Sequence, residues 1–216
     1  MSNISADKFI SWIERYAGHI ADHKDYLTEL DSAIGDGDHG ANMHRGFQAV
    51  LAKKADLRDK DVGALFKTVA MTLIQNVGGA SGALYGTFFL QVSSAAGAKN
   101  EVSPSEFGTL LEKGLAGIVL RGKAAVGDKT MVDALQPGIK AYKCSIGAGE
   151  DLKEALENAM RAAEEGLRST IPIVARKGRA SYLGERSAGH PDPGATSTVL
   201  LFRAAAETLC ADTERT

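Results

Sequence analysis

Cysteine is scarce in this chain: only Cys144 and Cys210 occur among 216 residues, with no CxxC spacing and no histidine cluster beside either. That argues against a disulfide framework or a thiolate zinc site, and for two reduced, packed thiols in a cytosolic protein. A basic excess is also missing. Lys and Arg number 25 against 27 Asp and Glu, a formal net charge of -2, which speaks against a general nucleic-acid binder and against a polybasic membrane-surface protein. No apolar run is long enough to cross a bilayer. Residues 1–9 lack the basic-then-apolar order of a signal peptide, so the cytoplasm is the expected location. Aromatic residues make up 6%, and no period-two alternation is bounded by turn residues, so few or no strands are expected. No linker, internal repeat or low-complexity tract interrupts the chain, which reads as a single domain over residues 1–216.

What the chain does have is helical periodicity. Phe9, Trp12, Ile13, Tyr16, Ala17 and Ile20 share one helical face. Val62, Leu65, Phe66, Val69, Leu73, Ile74 and Val77 repeat the pattern, and Gly78-Gly79 then supplies a stop. Phe107, Leu110, Leu111, Leu115, Ile118 and Val119 form a third stripe. Its start is marked by Ser103 as cap, Pro104 at the first helical position and Glu106 completing a capping box. Leu152, Ala155, Leu156, Ala159, Met160, Ala163 and Leu167 give a fourth. Weaker helical stretches cover 42–54, 81–96, 131–145 and 195–210. Abundant alanine and leucine suit helix packing, and the expected fold is all-α, an antiparallel barrel or bundle of about eight helices.

Glycines gather where these helices end, in loops that also hold most of the polar residues lying off the helix faces. In an up-and-down bundle alternate loops share one end, so several of them can build one site. The densest loop runs from Leu30 to Asn42 and carries Asp31, Asp36 and Asp38 within eight residues. Carboxylates this close repel one another unless they share a cation. Magnesium suits them, because it takes oxygen ligands and commonly combines a few carboxylates with substrate phosphates. The plainer alternative is a solvated acidic turn capping the next helix. The added Asp31, the glycines, and His39 and Asn42 favour metal. Three pattern matches fail on context. Gly35, Gly37 and Gly40 spell a dinucleotide fingerprint, but a helix precedes them where a strand is required. Counted from Asp36 as a calcium loop, Ala41 and Phe47 stand where glycine and glutamate belong. The stretch 117–124 nearly spells a P-loop, but Ala124 replaces the magnesium-binding hydroxyl.

Three further loops matter. Gly78, Gly79 and Ser81 either make an ordinary helix–helix turn or expose N–H groups as an anion seat. Ser81 meets no nucleophile-elbow pattern. In the turn 127–131, Asp128 or Thr130 caps the helix that follows. The loop 176–187 carries four basic side chains. It reads as a solvated surface loop or as a phosphate-binding one, with Arg179 first in line for a developing phosphoryl charge. The turn at Asp192, Pro193 and Gly194 is tightly fixed by its prolines and glycines. Acid loop, glycine seat and basic loop are the parts phosphoryl transfer uses, and no separate acceptor site accompanies them.

The segments LDSAIGDGDHGANMHRGF, VGGASGALYGTFF, RGKAAVGDKTM and ARKGRASYLGERSAGHPDPGATS together resemble the ADP-binding L subunit of dihydroxyacetone kinase, in order from Asp31 to Ser197. The resemblance implies a barrel of eight antiparallel helices that holds ADP or ATP at one end. It implies two Mg2+ ions on Asp31, Asp36 and Asp38, bridging to the phosphates. Nucleotide contacts carry over to His39, Gly40, Ala41 and Asn42, to Ala80 and Ser81, to Gly122, to Met131 as adenine packing, to Arg179, and to Asp192, Pro193 and Gly194. A separate K subunit binds dihydroxyacetone in that family, which accounts for the missing acceptor site. In one branch ATP exchanges. In the other, held ADP is rephosphorylated by the phosphohistidine-carrying M subunit of the phosphoenolpyruvate phosphotransferase system, and the stretch GDGDHGANM is more similar to this second branch. The alternatives are a subunit of an ATP-dependent ketose kinase acting on dihydroxyacetone or erythrulose, and an ADP-binding regulatory sensor.

Overall fold

Local capping by the N-cap side chain sets where five of the ten α-helices among the described residues begin. The computed structural model describes residues 2–210. In it Ser5 caps α1 (Ala6–Asp22), Asp61 caps α5 (Val62–Asn76), Asp151 caps α9 (Leu152–Ser169) and Asp192 caps α10 (Pro193–Thr208), each side chain accepting a first-turn N–H. Helix α7 (Pro104–Gly122) opens on the full capping box of Ser103 and Glu106 and closes on Lys123 in a left-handed conformation. The remaining helices are α2 (Lys24–Ile34), α3 (His39–Leu51), the single turn α4 (Lys54–Leu57), α6 (Gly79–Ala96) and α8 (Val132–Gly147). The only strands among the described residues are β1 (Ile4–Ser5) and β2 (Glu101–Val102), a two-residue antiparallel pair with Ile4 opposite Val102.

Eight helices close a ring in the order α1, α3, α5, α6, α7, α8, α9, α10 and back to α1. Helices α2 and α4 are the additions to the expected eight. The apolar stripes meet inside the ring in one core. Trp12 stands near its centre, edge-on to Phe66, Phe89 and Phe107, with its indole N–H donating to Leu201 O at 2.9 Å. Truncating an aromatic of this kind to alanine costs about 3–5 kcal/mol. No described helix is long and apolar enough to cross a membrane.

The ring has two different ends. At one, the chain is stitched by backbone bonds from Ala6 N to Asn100 O, Val62 N to Lys99 O and Gly63 N to Gly97 O. The other gathers the loop after α2, the N-termini of α3, α6, α8 and α10, and a 3-10 segment, Arg179–Ser187, around one cleft. The near P-loop at 117–124 lies in the last turns of α7 and its cap, so it forms no phosphate loop.

Candidate functional site

The acidic loop owes its shape to close packing at its glycines. Asp31 sits buried in the last turn of α2 and its Oδ2 accepts N–H bonds from Asp38 (2.8 Å) and His39 (3.1 Å). It therefore caps α3 from the preceding helix, while Asp38, at the N-cap position, makes no side-chain cap bond. A side chain at position 35 would run into the Asp31 carboxylate, so glycine there leaves Oδ1 clear. Ligand oxygens of Asp31, Asp36 and Asp38 lie within 4.8 Å of one another, with Asp31 buried and the other two more open. Arg179 Nη2 already stands 3.1 Å from Asp36 Oδ2. A hard-oxygen cluster that draws a guanidinium in this way fits a divalent cation of the magnesium type.

Across from the acids, Gly79 opens α6 at φ +65, a backbone state that L side chains rarely adopt. It sets Ser81 in the first turn. Ser81 Oγ meets His39 Nδ1 at 2.8 Å, and His39 Nε2 meets Ser197 Oγ at 3.0 Å. Ser197 Oγ in turn meets the Tyr85 hydroxyl at 2.8 Å. Burial holds the His39 pKa down at about 4, outweighing the pull of Asp31 and Asp38. The ring is thus neutral near pH 7, one nitrogen donating and the other accepting, and it orients Ser81.

The third wall is the start of α10. Asp192 is buried and accepts from Ala195 N at 2.7 Å. Burial pushes its pKa up to about 7, against the lowering by that N–H bond and by Lys129. The basic loop packs over the cleft through a small satellite core, in which Ala175 and Ala180 meet Ile34. That contact fixes Arg179 beside the end of α2, three residues on from Asp31.

One open cleft, about 790 Å³ counting its mouth, is lined by Asp31, Asp36, Asp38, His39, Ala80, Ser81, Met131, Arg179, Asp192, Pro193 and Gly194. An adjoining apolar pocket shares Ala80, Leu84 and Met131 with it and adds Ile118, Gly122 and Val132. Three named residues line neither. Gly40 packs against Lys24 and Thr28, and Asn42 accepts from Arg45 Nη2 at 2.6 Å. Ala41 follows Gly40 in the first turn of α3, whose N–H groups a helix cannot pair internally. Thr130 Oγ1 accepts from Val132 N, the first N–H of α8, at 3.2 Å, whereas Asp128 makes no bond to that helix. Asp133, inside α8, accepts from Gly127 N and Thr130 N, while Asp128 accepts from Ala125 N. The sequence reading also missed Tyr85, Lys129 and Lys177 in the lining. Lys177 and Lys129 belong to segments that had been singled out, the basic loop and the turn 127–131, but were given no role there, and Tyr85 lies on α6 beyond the glycine turn.

The DAK2 domain family matches residues 33–207. The chain is 43% identical over 201 residues to the ADP-binding subunit of the PEP-dependent dihydroxyacetone kinase of Escherichia coli (strain K12), covering 93% of this chain and 96% of that one. It is 42% identical to the ADP-binding subunit of the PTS-dependent dihydroxyacetone kinase of Lactococcus lactis subsp. lactis (strain IL1403), covering 92% and 95%. The crystal structure of the dihydroxyacetone kinase from C. freundii in complex with AMP-PNP and Mg2+ superposes with a TM-score of 0.69 at 25% identity. That match covers 96% of this chain and 35% of the other, so this chain spans about a third of that kinase. The chain belongs to the DAK2 domain family, among the ADP-binding L subunits of dihydroxyacetone kinase.

Proposed function

We propose that this chain carries ADP or ATP in the cleft and acts in the cytoplasm as the nucleotide-binding subunit of a phosphoenolpyruvate-dependent dihydroxyacetone kinase. In this reading it receives a phosphoryl group from a phosphohistidine carrier, the M subunit, and passes it to dihydroxyacetone held on a K subunit. The observation that carries the reading is the juxtaposition of three carboxylates, a helix N-terminus with a hydroxyl and an arginine around one cleft that opens into an apolar pocket.

Asp31, Asp36 and Asp38 would hold two Mg2+ ions, which when bound neutralise the phosphate charge. Asp31 is kept in place for that by the N–H groups of Asp38 and His39. Ser81, oriented by neutral His39, and the first-turn N–H groups of α6 face the phosphates. The Arg179 fork takes two oxygens of the transferring group. Met131, Leu84, Ile118 and Gly122 offer the adenine an apolar slot. The test is to pass the purified protein through gel filtration without added nucleotide, denature it and identify what is released. Stoichiometric ADP with magnesium supports the reading. An empty protein that binds magnesium-ATP reversibly moves it to an ATP-dependent ketose kinase. An empty protein that binds neither nucleotide reduces the acidic loop to a helix cap.

A further inference from the structure

Lys129 is buried, with 1% of its surface exposed, and its backbone is left-handed at φ +63. Its ammonium meets no carboxylate within ion-pair distance among the described residues. It points into a cage of main-chain oxygens: His190 O at 2.5 Å, Thr170 O at 2.6 Å, Ile173 O at 3.2 Å and Ile171 O at 3.5 Å. An ammonium has three donors, so two serve the short bonds and the third is shared between the longer pair.

The position of these oxygens in the chain gives the cage its meaning. Thr170, Ile171 and Ile173 lie where the chain leaves α9. His190 lies where it returns toward α10. Everything between them is the loop that carries Arg179, and Asp192 follows directly. Other bonds tie the same two feet together, Gly189 N to Ile171 O at 2.7 Å and Asp192 N to Thr170 Oγ1 at 3.0 Å. One more ties the loop to Lys129's own turn, Arg176 N to Asp128 O at 3.0 Å. Burial lowers the lysine's pKa, while Asp192 and Asp133 nearby oppose that. A left-handed residue with a buried charge is a costly construction unless it organises something.

We propose that Lys129 is a positioning residue for the phosphate pocket: its ammonium clamps both feet of the loop 170–190, as a bound monovalent cation would, and so aims Arg179 and Asp192 into the cleft. The inference rests on the cleft being a nucleotide site. Truncation at Lys129 empties a cage of four carbonyl oxygens, which has the chemistry of a potassium or ammonium site.

The experiment measures magnesium-ADP affinity for the native protein, K129A and K129M in sodium, potassium and ammonium chloride at equal ionic strength. It is paired with limited proteolysis of the loop 170–190. Native affinity should not depend on the cation. K129A should bind about 10–100-fold more weakly in sodium, the usual loss when outer support of a site is removed, and recover in ammonium or potassium. K129M, whose side chain refills the space without charge, should be weak in every salt. Faster cleavage within the loop, slowed by ammonium in K129A alone, should accompany this. Native-like affinity and cleavage in both variants overturn the proposal. So does a K129A deficit that no cation relieves, or cleavage accelerated equally along the whole chain. If the native protein binds no nucleotide, the reading of the cleft fails, while the cation-dependent cleavage pattern still decides whether the clamp exists.

Discussion

His39 and Asp192 stand in the same cleft and titrate in opposite senses. The folded pKa of His39, about 4, lies below its ordinary 6.5, so between these values the unfolded chain binds more protons and stability rises with pH. The folded pKa of Asp192, about 7, lies above its ordinary 3.8, so over that range the folded chain binds more protons and stability falls as pH rises. In metal-free, nucleotide-free protein the two slopes offset each other between about pH 4 and about pH 6.5. Replacing Asp192 with Asn keeps a competent cap and should leave a stability that rises with pH across this window, whereas His39→Gln should leave one that falls. Urea melts at several pH values check this, and a D192N slope equal to the native one would mean that Asp192 is ionised in the fold throughout. The metal assignment is tested separately. Asp36→Ala and Asp38→Ala should each abolish magnesium-dependent ADP retention while far-ultraviolet circular dichroism stays native, and unchanged ADP binding in both would refute it. The aspartates were legible in the sequence because they lie within eight residues. Lys129 was not, because its partners lie 41 to 61 residues away and nothing local marks a buried lysine.

Helices could be read from the sequence where capping and periodicity agree. Helix α7 is the clearest case. Ser103, Pro104 and Glu106 announce its start, and the fold makes both bonds of the box, Glu106 N to Ser103 Oγ at 3.2 Å and Ser103 N to Glu106 Oε2 at 2.8 Å. Ser103→Ala should cost about 1 kcal/mol of stability in denaturant melts. Since this cap lies at the end of the ring away from the cleft, magnesium-ADP affinity should not change. A shift in affinity would show that the two ends are coupled. The 3-10 segment Arg179–Ser187 was not legible. It has no periodic stripe, Gly184 breaks it at φ 54, and it is held by tertiary contacts to Ile34 instead of by its own propensity. Helix α2 was read as a helix ahead of the glycine loop but left out of the count of eight: only Leu27, Leu30, Asp31 and Ile34 are buried on it, and one of the four is the carboxylate of the site.

At the scale of the molecule, one end of the closed ring gathers the cleft, and the acids, hydroxyl and arginine that line it suit the nucleotide side of a transfer. Asp31, Asp36 and Asp38 form the only group of three metal-ligating side chains among the described residues. An up-and-down ring of helices made that clustering at one end foreseeable from loop order alone, but it could not tell which loops would close over the mouth. Two large apolar side chains stand out at that end: Tyr182, 88% exposed and three residues from Arg179, and Leu120, 81% exposed in the last turn of α7. A surface so placed suits the proposed triose-binding subunit, which must bring its hydroxyl to the phosphate. The chain alone should therefore turn over no dihydroxyacetone with ATP, and adding the K subunit should start the reaction. Tyr182→Ala should slow that reconstituted transfer while leaving ADP retention by the isolated chain untouched, because the ring lies outside the cleft. Phosphorylation of the triose by the isolated chain would place an acceptor site within it, and a Tyr182→Ala protein that loses ADP would place that ring in the nucleotide pocket instead of at the partner face.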